Sequence, residues 1–67
     1  MSWSIEYRGA EGRAATEACR SATQYQAAVQ QLLAQHVEHG HVIETVHGEV
    51  RVRRRDGAPV ATYWFVE

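Results

Sequence analysis

Apolar and polar residues alternate from Ser2 to Arg8, with Trp3, Ile5 and Tyr7 on one face and Ser2, Ser4, Glu6 and Arg8 on the other. A period of two over aromatic and β-branched residues predicts a half-buried strand. Gly9-Ala10-Glu11-Gly12 ends it. The period then changes. From Tyr25 onward, Ala28, Val29, Leu32, Leu33, His36 and Val37 recur at three- and four-residue spacing, with Gln26, Gln30, Gln31 and Glu38 opposite. That stripe predicts an amphipathic helix from Ala22 to about Glu38. Ser21-Ala22-Thr23-Gln24 has the form of a capping box at its start, and Gly40 sits where a left-handed cap would end it.

Residues 13–20, RAATEACR, carry two signals. Their alanines favour helix. A capping box that starts the helix at Ala22 instead leaves them outside it, as a second strand hairpinned to the first, and this is the reading preferred here. After the helix, Val42–Val46, Glu49–Arg55 and Val60–Val66 read as three antiparallel strands, with turns at His47-Gly48 and Asp56–Pro59. The expected fold is α+β: a two-layer sandwich of one amphipathic helix on a four- or five-stranded antiparallel sheet. The order is β-β-α-β-β-β, or β-α-β-β-β if residues 13–20 are helical. Residues 1–67 form a single small domain, because this length leaves no room for a second core.

Pairing parity assigns the strand faces. With an even-numbered loop over Asp56–Pro59, even positions of the fourth strand oppose odd positions of the fifth, whereas a three-residue loop with a bulge would swap the partners and place Trp64 in the core. On the even count, Val50, Val52, Ala61, Tyr63 and Phe65 share the face that receives the helix, joined by Ile43 and Thr45 if His47-Gly48 is a two-residue turn. Arg51, Arg53, Arg55, Thr62 and Trp64 fall on the other face with Val42, Val46, Val60 and Val66, and Glu44 lies opposite Arg51. One helix covers one side of a sheet, so this second face is left bare. An exposed apolar area among charges marks an interaction surface, and arginine and tryptophan are enriched at binding hot spots. The expected partner-binding residues are Arg51, Arg53, Arg55, Trp64, Thr62 and Glu44.

Charge narrows the partner. The formal net charge is −1: residues 1–48 hold three arginines and five glutamates, and residues 49–67 hold four arginines against Glu49, Asp56 and Glu67. Every basic residue is arginine, so each cation is a planar fork able to stack on rings. Arginines beside Tyr63, Trp64 and Phe65 suggest a nucleic-acid surface, but phosphate affinity needs a positive footprint that this balance does not supply. A protein partner is the preferred expectation, with nucleic acid as the alternative.

The remaining chemistry is sparse. His36, His39, His41 and His47 gather near the helix exit, yet their spacing matches no zinc pattern, and no metal or cofactor is expected. Cys19 is the only cysteine, which excludes an intrachain disulfide and fits a reducing, cytoplasmic setting. It reads as a small buried hydrophobe rather than a nucleophile. No catalytic signature or phosphate loop occurs, so no catalytic residue is assigned and no enzyme is expected. No long apolar run or signal-peptide core is present, so no membrane span is expected. A domain of this length buries only about 60% of the surface its unfolded chain exposes. Association of two copies would offset so small a core. The chain thus reads as a small non-enzymatic protein-interaction module, a homodimer, and a regulator or inhibitor of a partner protein.

Overall fold

The computed structural model describes residues 3–67. Strand β1 spans Trp3–Gly9, β2 Ala14–Cys19, helix α1 Ala22–Glu38, β3 Val42–Val46, β4 Glu49–Arg53 and β5 Pro59–Val66. The five strands form one antiparallel sheet in the order β2-β1-β5-β4-β3, and α1 packs on one side of it. The expected two-layer α+β sandwich is what is found, in its five-stranded form. Of the first expected strand, Ser2 lies outside the described residues.

The capping signal explains why Ala14–Cys19 is a strand despite its alanines. Ser21 is extended, at φ −149° and ψ 161°, and its side chain accepts the Gln24 N–H at 3.1 Å. Gln24 reaches back to accept the Arg20 N–H at 2.8 Å. With the Gln24 N–H held by Ser21 and the Arg20 N–H held by Gln24, the helix has a defined start, and the preceding residues are free to pair with β1 from Trp3↔Cys19 to Arg8↔Ala14. At the other end Gly40 takes φ +77°, and the His41 N–H donates to the His36 carbonyl at 3.0 Å, closing the last turn.

His47-Gly48 is a two-residue turn with both residues at positive φ (50° and 81°), joining β3 to β4 through the pair Val46↔Glu49. This is the backbone twist that matches two adjoining strands, and glycine at the second position adopts it without a side-chain clash.

The second hairpin is built differently from expectation. Strand β4 stops at Arg53, and Arg54–Ala58 make a five-residue loop closed by the Arg54 N–H on the Ala58 carbonyl at 2.8 Å. Asp56 organises it. Its Oδ1 accepts the Ala58 N–H at 2.9 Å, and its Oδ2 lies 3.1 Å from Arg54 Nη2. The Ala58 N–H and the Arg54 guanidinium both favour its charged form, holding the carboxyl below the usual range. An odd loop would by itself reverse the strand faces. The register shifts between Val52↔Ala61 and Arg53↔Pro59, leaving Val60 as an extra bulged residue that restores them. Val50 opposes Tyr63 and Val52 opposes Ala61, the partners expected of an even loop, reached here through the bulge instead.

The core sits between α1 and the inner face of the sheet. It comprises Ile5, Cys19, Tyr25, Val50, Val52, Ala61 and Tyr63, with Val52 only 1% exposed. Trp3, Tyr7, Ile43 and Phe65 extend it along the sheet, and Ala28, Val29, Leu32 and Leu33 cover it from the helix. Tyr25 is the one buried residue of the helix. Val37, placed on the apolar stripe by its spacing, is 63% exposed.

Candidate interaction surface

The face opposite α1 is assembled row by row from the strand pairings. One row runs Ala14–Arg8–Thr62–Arg51–Glu44 across all five strands. The next runs Thr16–Glu6–Trp64–Glu49–Val46. Ser4 and Val66 continue it at one end, and Arg53 beside Val42 at the other. Trp64 is half-buried at the centre, with Glu6 on one side and Glu49 on the other. Two of the three most exposed large apolar side chains, Val42 (44%) and Val66 (37%), belong to this face. Among the described residues nothing packs over it.

Of the expected partner-binding residues, Arg51, Arg53, Thr62, Trp64 and Glu44 stand together here. Glu44 opposes Arg51 as expected, but the ion pairs are shifted by one partner. Arg51 Nε donates to Glu49 Oε2 at 3.0 Å along its own strand, and Arg53 Nη2 lies 3.5 Å from Glu44 Oε2. Arg53 Nε is buried without a hydrogen-bond partner. Such pairs at a surface are individually weak and readily exchange partners.

Arg55 needs correction. It lies in the Arg54–Ala58 loop rather than on the strand, and it turns toward the helix exit. A Cβ placed on Gly40 would lie 3.8 Å from Arg55 Nε. The cause is the early end of β4, imposed by the Asp56-centred loop. Val60 is corrected for a related reason. The bulge turns it from the outer face to pack against the core.

Glu6 and Arg8 were missed as members of this surface. Their alternation with Trp3, Ile5 and Tyr7 marked them as an outer row, but pairing of β1 with β5 could not be inferred from local pattern. With them the face carries Arg8, Arg51 and Arg53 against Glu6, Glu44 and Glu49, a net charge of zero.

The histidines form a separate cluster on the inner side. His36 Nε2 lies 2.8 Å from the Tyr63 hydroxyl, and His36 Nδ1 lies 2.9 Å from His41 Nδ1. His39 stacks on His41 with ring centroids 5.8 Å apart. The short Nδ1–Nδ1 contact needs a single proton between the two rings. Burial, then the neighbouring His41 and His39, lowers the His36 pKa below its ordinary value. Burial raises that of Tyr63, with Tyr7 adding to it. Cys19 takes no part. It pairs with Trp3 beside the first turn of α1, whereas His36 is eleven residues, about 16 Å, further along the helix from Tyr25. Among the described residues no three histidine, cysteine or acidic side chains converge as metal ligands, and no helix is long and apolar enough to cross a membrane.

Comparison with protein-family models, with curated proteins and with solved structures finds no match to this chain.

Proposed function

We propose that the chain is a small non-enzymatic interaction module that pairs with a second copy through its outer sheet face, and that it serves as a cytoplasmic regulator or inhibitor of a partner protein. The observation that carries this reading is the bare face itself: five strands wide, with Trp64 at its centre and three arginines matched by three glutamates around it. A surface of zero net charge that carries both signs can meet a copy of itself under a twofold axis without net repulsion. A phosphate backbone asks instead for an excess of cations, which this face lacks.

The test is the mass of the assembly by light scattering at matched concentrations. Trp64→Ala is expected to halve it, because the substitution removes the central aromatic anchor. An unchanged mass refutes the contact. Salt-sensitive retention on an oligonucleotide, lost in the double substitution Arg51→Glu with Arg53→Glu, would assign the face to nucleic acid instead.

A further inference from the structure

Two features meet at one margin of the sheet. Strand β2 is an edge strand, and every residue from Ala14 to Ala18 is exposed. The Gly9 N–H donates to the Arg13 carbonyl at 2.7 Å, so the odd-numbered residues of this strand aim their backbone groups at β1. By alternation, Ala14, Thr16 and Ala18 aim theirs outward, unpaired by the sheet. Beside this edge, on the helix side, an apolar cleft of about 270 Å³ opens between β2 and α1, lined in part by Ile5, Ala15, Ala28 and Leu32. Such an edge is a template for another strand.

Glu17 decides which strand fits. It lies on the inner side of β2, lines the cleft and forms no ion pair with any described residue. An inward charge on an edge opposes indiscriminate pairing, so an incoming strand must bring a cation opposite it. The chain carries that cation itself. If two copies pair antiparallel about a twofold axis, opposed residues share a face, which allows only registers centred on a residue. Centring on Ala15 sets Glu17 of each copy against Arg13 of the other. It also makes Ala14 and Thr16, the residues with outward backbone groups, the hydrogen-bonded pairs. Centring on Glu17 sets glutamate against glutamate. The opposite edge, β3, has no such solution, since no cation lies within Val42–Val46 to meet Glu44.

We propose that a second copy of the chain adds to this edge, β2 against β2, in the register that places Ala15 opposite Ala15 and Glu17 opposite Arg13. The two sheets join into one of ten strands with both helices on the same side. The outer faces then lie side by side, and each β2 gives the other's cleft a new wall. This contact is independent of the one through Trp64; with both present, assemblies of more than two chains form.

Cysteine cross-linking tests the register. In a Cys19→Ala background, Ala15→Cys places two thiols at a non-hydrogen-bonded pair, where Cα atoms are about 4.5 Å apart and a disulfide can close. Mild oxidation is expected to give a covalent dimer for Ala15→Cys and none for Glu17→Cys. Adding Glu17→Arg to the Ala15→Cys protein is expected to abolish the cross-link, and adding Arg13→Glu as well to restore it. Retained circular dichroism shows that each variant is folded. No cross-link at Ala15→Cys in a folded protein, or an equal one at Glu17→Cys, overturns the proposal. Light scattering separates the two contacts: Trp64→Ala alone and Glu17→Arg alone each leave two chains, and together they leave one. A Trp64→Ala protein that still cross-links through Ala15→Cys places any failure with the outer-face reading and leaves the edge contact standing.

Discussion

The two faces of the sheet are made by the same strands, one residue out of step, and they are held by different physics. On the inner face Ile5, Tyr7, Val50, Val52, Ala61 and Tyr63 gather against α1, and no charged side chain is buried among them. On the outer face the rows alternate arginine, glutamate and threonine around Trp64, with ion pairs of 3.0 and 3.5 Å open to water. The inner face stabilises the fold through apolar area removed from water, at about 25 cal/mol per Å². The outer face contributes little to folding, and its side chains remain free to meet another surface. Burial and exposure to a bare face are thereby assigned to alternate residues of one strand: in β5, Tyr63 lies in the core and Trp64 on the side away from the helix.

The contrast can be broken most forcefully at Tyr63. Truncation to alanine is expected to cost about 3–5 kcal/mol, as for other buried aromatics. For a chain of this length, whose total stability is about 3–10 kcal/mol, that largely unfolds the protein. Tyr63→Phe keeps the ring and removes only the partner of His36 Nε2, and should cost about 1–2 kcal/mol in a urea melt. A Tyr63→Ala protein as stable as the parent would mean that the inner face is not the folding core.

A smaller effect sharpens the comparison by pH. The folded His36 pKa lies below its unfolded value near 6.5, because burial and the facing His41 and His39 disfavour the cation. The unfolded chain therefore binds the proton more readily. Stability from this site is fully present above pH 6.5 and is lost as pH falls through the folded pKa. Melting temperature should drop across that window, and His36→Gln should flatten the drop. A parent curve that stays level from pH 7 to 5 would contradict the shared-proton arrangement of His36 and His41.

The smallest change is expected on the outer face. Arg51→Ala or Glu49→Ala should alter the stability of the isolated chain by no more than about 1 kcal/mol, since exposed pairs contribute that little. A loss of 3 kcal/mol or more at either would show that the outer face is part of the folding core after all.

Much of this division was legible in the chain because its signals are local. The capping box at Ser21 and the glycine at position 40 bracket the helix within a few residues, and His47-Gly48 between alternating runs defines a tight turn. The misreadings come from interactions that local pattern does not carry. Arg55 left the surface because Asp56 gathers Ala58 and Arg54 into a longer loop, and Val60 left it through a bulge whose only sequence trace is the neighbouring Pro59. Val37 keeps the helical period but stays exposed. Glu6 and Arg8 joined the surface through a pairing between distant parts of the chain. Tyr63 was correctly expected inside, while its hydrogen bond to His36, 27 residues away, had no local signal.

The middle of the sheet is its longest-range contact. Strand β1 sits between β2 and β5, so the seam from Ser4↔Val66 to Gly9↔Ala61 joins segments separated by almost the whole described chain. Neither the β1–β2 hairpin with its helix nor the β3–β4–β5 meander has a finished sheet until that seam closes. Closing a loop of such length is entropically costly and comes late in folding, so the architecture favours a single cooperative transition without a stable half-folded species. The amides of the seam should then exchange with deuterium only when the entire molecule opens, making them reporters of global stability.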